Sequence, residues 1–155
     1  MKAWTLTEPW ASLVVFGEKK WETRSRPNIK IVGVRLAIHA AKGFPKSALE
    51  LCEQEPFLTS LARHEIDPDT FALGSVIGFV TVRSCLPVEK IRNFLTEKEK
   101  AFGDYSDGRY CFELAYPEFI EPMPAKGALC IWNWNPDENY RNYETGLTHP
   151  VPFTP

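Results

Sequence analysis

The chain has 155 residues, of which 44% are hydrophobic and 25% charged, with a formal net charge of −2. That length favours one domain, and that composition excludes disorder over most of the chain. A domain of this size buries a core without disulfide or metal staples, and no run of about 18 uncharged apolar residues occurs to span a membrane.

Residues 2–7 alternate, with Trp4 and Leu6 on one face, which predicts a first strand. Thr7 offers a helix-capping hydroxyl and Pro9 suits a first turn. Trp10, Leu13, Val14 and Gly17 then recur at helical spacing, so a short amphipathic helix ending at a glycine is expected over 9–17. Residues 19–30 are polar, contain Pro27, and read as loop or irregular strand. Residues 31–39 read as a strand, with Val32, Val34, Leu36 and Ile38 on one face and Arg35 and His39 on the other. Helices are expected at 45–55 and 56–65. A β-branched strand follows at 74–83, where Gly78 marks a bulge or a close backbone approach. One helix is expected over 87–100, with Ile91, Phe94 and Leu95 as its apolar stripe. Residues 109–116 alternate as a strand, the three prolines of 117–126 predict a linker or edge, and 128–134 is the last strand. Strands and helices do not alternate regularly, so a parallel βαβ sheet is not indicated. The expectation is an α+β fold: a small mixed β-barrel of about five or six strands with helices packed around it.

Cys52, Cys85, Cys111 and Cys130 form no C-x-x-C pair, so buried, reduced thiols are expected and neither a disulfide nor a structural zinc. There is no H-x-x-x-H, no zinc-deaminase pattern, no G-x-S-x-G and no phosphate-cradling glycine loop, so no metal or cofactor is expected. The start lacks the apolar run of a signal peptide, which predicts a cytoplasmic protein. Charge is uneven. Residues 18–46 hold eight Lys or Arg and two Glu, a net of +6, while the rest holds ten Lys or Arg and eighteen acids, a net of −8. Such a segment either gives a one-sided positive field that attracts a polyanion or is dispersed by the fold.

Gly17-x-Lys19-x-x-Glu22-x-Arg24, following Glu8-Pro9-Trp10-Ala11, resembles the G-x-K-x-x-E-x-R signature of the ASCH domain family. The blocks 36–42, 73–78, 112–114 and 126–132 resemble its later strands in the same order. The resemblance covers about residues 1–134; 135–155 reads as a C-terminal extension packed on that domain or trailing it. It implies a PUA-like barrel, a cleft between barrel and first helix, and a link to RNA. Members include RNA-binding modules of coactivators, amidohydrolases resembling those that act on acetylated cytidine, and a ribonuclease branch. The amidohydrolase branch is expected to carry a nucleophilic threonine where this chain has Glu22. That departure weighs against a threonine-type mechanism.

The residues themselves describe a nucleotide-sized polar pocket. Glu22 is an acceptor for a base edge, Arg24 a forked phosphate donor, Lys19 a point charge, and Trp10 a stacking face. Arg35, His39 and Lys42 are the further ligand-binding candidates, the first two from their shared strand face and Lys42 from the basic segment. One reading is a module that binds RNA, a nucleotide or a nucleoside. The other is a metal-independent hydrolase with Lys19 and Glu22 as its catalytic pair. A protein-interaction role for the Trp-rich last strand is a third.

Overall fold

The structure, a computed structural model, describes residues 1–136. Among the described residues six strands are present: β1 (Lys2–Leu6), β2 (Trp21–Arg24), β3 (Arg35–Ala40), β4 (Ser75–Pro87), β5 (Tyr110–Pro124) and β6 (Ile131–Asn133). They form one curled half-barrel sheet in the order β2-β5-β4-β3-β1-β6. β1 runs parallel to β3, and the remaining neighbours are antiparallel, so the sheet is mixed as expected. Helices α1 (Trp10–Val15), α2 (Lys46–Cys52), α3 (Phe57–Arg63), α4 (Val88–Ile91) and α5 (Glu97–Ala101) fill the connections. The C-terminal extension lies, from residue 137, outside the described residues. Among the described residues no helix is long and apolar enough to cross a membrane.

The short helix α1 joins the two halves of the core. Val14 and Val15 face the sheet and join Trp4, Leu6, Ile38, Ile77, Val80 and Phe112. Leu13 points the other way and packs with Cys52, Phe57, Leu61 and Phe102. α1 thus lies between the sheet and the helices α2 and α3, with five of its six residues buried. The Thr7 hydroxyl does not cap it. The Glu8 carboxylate does, accepting from Ser12 N at 2.9 Å and Ser12 Oγ at 2.8 Å.

Three expectations are corrected. First, 109–126 is not a strand followed by a linker but one 15-residue strand, β5. Its prolines are tolerated because Pro117 and Pro122 fall where the ladder to β4 shifts register, and Pro124 closes it. A missing N–H costs nothing there. Second, 87–100 is not one helix. Thr96 interrupts it by accepting Glu99 N at 3.1 Å, which starts α5 afresh. Third, 31–39 begins as a 3-10 turn, Ile29–Ile31, and becomes strand only at Arg35. Gly78 holds the close approach its position implied: a Cβ there would meet Glu118 O at 2.1 Å and Val15 Cγ1 at 2.7 Å. Cys130, expected in a buried strand, is exposed at φ +60 just before β6.

Candidate functional site

The turn between α1 and β2 is built by Gly17. At φ +76 it closes the helix, and the N–H groups of Glu18 and Lys19 both reach back to Leu13 O at 2.9 Å. A side chain there would also press on Pro117, 3.1 Å away. This geometry drives Lys19 inward until it is 2% exposed. Its ammonium donates to Trp21 O and lies 3.2 Å from Glu22 Oε2. The other Glu22 oxygen faces Arg24 Nε at 3.5 Å, and the Arg24 guanidinium lies over the Trp4 ring at 5.1 Å. Glu22 and Arg24 are two apart on β2, so they share a side of the strand.

Two buried carboxylates pin this turn to the helices. Glu18 accepts from Arg63 Nη1 at 2.8 and 2.9 Å and from Lys98 Nζ, with His64 Nε2 at 2.8 Å. Burial pushes the Glu18 carboxyl up, but the bonds from Lys98, Arg63 and His64 outweigh it and hold it at about 2. Glu99 Oε1 accepts from Lys20 N at 2.8 Å and Trp21 N at 2.6 Å. Its carboxyl is raised by burial, against the pull of the Lys19 charge and those two amides. The Thr96 cap orients Glu99, so Thr96→Ala is expected to cost about 1 kcal/mol of stability in chemical unfolding. Thr96→Ser should retain it; equal losses in both variants would contradict the capping role.

A cavity of about 380 Å³ opens beside the turn. Lys19, Glu22 and Thr23 form one side, and Trp10, Phe57 and Phe102 supply aromatic wall. Asp104 and Arg109 complete the lining, with Arg109 Nε 3.5 Å from Asp104 Oδ2. The Thr23 hydroxyl accepts from Asp104 N at 3.3 Å. Close by, the Tyr105 hydroxyl is buried with no hydrogen-bond partner among the described residues. Burial raises its pKa, and Glu99, Cys111 and Glu22 raise it further. Among the described residues no three His, Cys, Asp or Glu side chains gather as a metal site.

The candidates named from the sequence separate into three places. Trp10, Lys19 and Glu22 meet at this cavity, and Arg24 touches Glu22 without lining it. Arg35 is taken up elsewhere: it donates to Tyr116 O at 3.2 Å and Glu118 Oε2 at 2.5 Å and covers the Phe79 ring. His39 and Lys42 line a second cavity of about 840 Å³. His39 there belongs to a closed relay. Trp132 Nε1 donates to Thr5 Oγ1 at 2.9 Å, Thr5 Oγ1 lies 3.3 Å from His39 Nδ1, and His39 Nε2 lies 2.9 Å from Ala125 O. Of the eight cations in 18–46, Lys19, Arg24, Arg35 and Lys46 are ion-paired, so much of that segment's charge is neutralised locally. Sequence reasoning missed Phe57, Glu99, Phe102, Asp104 and Arg109, which come from distant elements. For Glu99 a signal existed: Thr96-x-x-Glu99 is a helix-start pattern.

Comparison with known proteins agrees with the architecture. The crystal structure of ASCH from Zymomonas mobilis superposes with a TM-score of 0.53 at 16% identity, covering 93% of each chain. Crystal structures of two point mutants of the same Zymomonas mobilis protein, one tyrosine to phenylalanine and one serine to alanine, match equally, with TM-scores of 0.53 at 16% identity over 93% of this chain. They cover 96% and 94% of those chains respectively. At that identity the likeness concerns the fold, which is α+β and PUA-like. No curated protein matches the sequence. The ASCH domain model matches residues 5–124. The chain belongs to the ASCH domain family.

Proposed function

We propose that this protein binds RNA through one unpaired nucleotide, whose base enters the cavity beside Lys19 and Glu22. The observation that carries the reading is the ion pair of buried Lys19 with half-buried Glu22: an ammonium and a carboxylate 3.2 Å apart in a cavity of about 380 Å³, with Trp10, Phe57 and Phe102 around it. A base edge offers donors and acceptors side by side. Glu22 accepts from an exocyclic amino group, and Lys19 donates to a neighbouring carbonyl or ring nitrogen. The aromatic side chains supply the apolar wall that an unstacked base requires. Each Glu22 oxygen already faces a cation, Lys19 or Arg24, so the carboxylate is held as an oriented acceptor.

The same pair carries the hydrolase reading, with Glu22 directing water and Lys19 holding developing negative charge. One experiment separates the two. The protein is titrated with nucleosides and short single-stranded RNA, then incubated with acetylated cytidine and RNA, as wild type and as Glu22→Gln. Wild-type binding without product, weakened roughly tenfold or more in Glu22→Gln, is the expected result for a lost charged hydrogen-bond acceptor. Product formation that disappears in Glu22→Gln replaces the binding reading with the hydrolase. Binding and turnover that are both indifferent to Glu22→Gln remove this cavity from either role.

A further inference from the structure

We propose that the larger, second cavity is a phosphate site that takes a nucleotide unit independently of the motif cavity. Small residues just after β3, just before β4 and in the segment after β5 line it. Ala41, Gly74, Ala125 and Gly127 leave a space of about 840 Å³, more than twice the motif cavity. The opening is flanked by apolar Leu73, Pro124 and Leu129 and by two cations, Lys42 and Lys126. Leu129 is 89% exposed and adds apolar surface to the rim.

Three observations point to a phosphate ester. Lys42 and Lys126 have no acidic partner among the described residues, and no acidic side chain lines the cavity. Two unpaired ammonium groups at an acid-free opening are complementary to an anion. The backbone N–H groups of Lys126, Gly127, Ala128 and Leu129 have no acceptor among the described residues. The position of the segment is fixed from beneath. A Cβ at Gly127 would lie 2.3 Å from His39 Cε1, so the backbone rests directly on the His39 ring. That ring is held at Nδ1 by Thr5 and faces Trp132 edge-on at 5.5 Å. The buried histidine is thereby a positioning residue: both of its nitrogens have partners in the relay, and what it supports is the loop.

The apolar flanks then determine the class of anion. Inorganic phosphate leaves Leu73, Pro124 and Leu129 in water, whereas a nucleotide lays its base and sugar against them with its phosphate between the lysines. The ester comes either from a free mononucleotide or from the backbone of a strand, and the chemistry at the lysines is the same. Such a site adds a salt-dependent component to binding, because each neutralised phosphate of a strand releases counterions. The motif cavity, whose Lys19 is already paired with Glu22, is expected to contribute little to that salt dependence.

The test uses the isotopically labelled 155-residue chain titrated with a nucleoside 5′-monophosphate, the matching nucleoside, inorganic phosphate and a short single-stranded oligoribonucleotide, with backbone amide shifts as the readout. The monophosphate is expected to move Gly74, Gly127, Ala128 and Leu129 saturably, with the nucleoside and inorganic phosphate each roughly tenfold or more weaker there. A strand as the natural source shows as still tighter binding of the oligoribonucleotide at the same amides. The combined Lys42→Ala and Lys126→Ala variant, altered only at exposed side chains, should lose this response roughly ten- to a hundredfold with an unchanged melting temperature. Glu22→Gln should leave it intact, which keeps a failure at the motif cavity distinct from a failure here. Monophosphate shifts confined to residues 19–23 and 102–104, no saturable shift at the second cavity, or a double variant that binds like wild type would each overturn the proposal.

Discussion

Gly78→Ala is expected to destabilise the protein by about 3 kcal/mol or more, the upper end for overpacking a close-packed interior. The added methyl would lie 2.1 Å from Glu118 O and 2.7 and 2.9 Å from Val15 Cγ1 and Cβ. Val15 belongs to α1, the helix squeezed between sheet and helical layer, so it has no direction in which to retreat. The carbonyl belongs to β5 within its paired length, so moving it disturbs the ladder to β4. Gly43→Ala is the control: a Cβ there meets nothing within 4 Å, and Gly43 has no positive φ. Its substitution should be neutral or stabilising by up to about 1 kcal/mol, through a less flexible unfolded chain. Denaturant unfolding of both variants measures the contrast. Comparable midpoints would mean that α1 does not press on β4 as described.

The second large effect is on the pH dependence of stability, and it comes from Glu8. Its carboxyl is fully buried at the start of α1, and burial pushes it up to about 7 against the two lowering bonds from Ser12. The folded value lies above the unfolded one of 4.5. Glu8 therefore contributes stability that is complete below about 4.5 and lost as the pH rises through about 7. A shift of that size corresponds to about 3 kcal/mol across the window. The neighbouring Cys52 thiol is itself pushed up to about 11 by burial and by Glu8, so it stays neutral throughout. Glu18, held at about 2, acts in the opposite direction and in a separate range: its contribution is present above 4.5 and lost on acidification towards 2. Glu8→Gln retains an oxygen for Ser12 N but cannot ionise. The stability of that variant minus that of wild type should rise by about 3 kcal/mol between about pH 4.5 and 8. A difference that stays flat over that range would show that Glu8 does not titrate in the folded protein.

What the sequence disclosed and what it withheld follow from the range of the interactions involved. The Gly17 turn is local, set by a helix end and a strand start, and the spacing of the apolar residues before it was enough to name it; the motif named Lys19 and Glu22 as neighbours, but the burial of Lys19 and its pairing with Glu22 appear only in the structure. Gly78 was legible for the same reason: a glycine inside a β-branched strand has few explanations. The aromatic walls were not legible, because Phe57 and Phe102 reach the cavity only through the packing of α3 and the segment after α5 on Leu13. His39 and Arg35 alternate correctly along β3, yet they stand four residues apart, at opposite ends of the strand, and so meet different surroundings. One finds the Thr5 relay and the other finds Glu118. The basic segment shows the limit of charge counting. Its net of +6 in sequence becomes pairs with Glu22, Glu50 and Glu118 in space, partners whose positions only the fold supplies.

The proposed binding mode puts a base in the cavity between the Lys19–Glu22 pair and the wall containing Trp10, Phe57 and Phe102. The most direct measurement is a crystal structure of the protein soaked with a nucleoside that binds in solution. The base is expected in that cavity, its edge within hydrogen-bond distance of Glu22 and Lys19. A nucleoside ordered anywhere else, with this cavity holding only solvent, would contradict it.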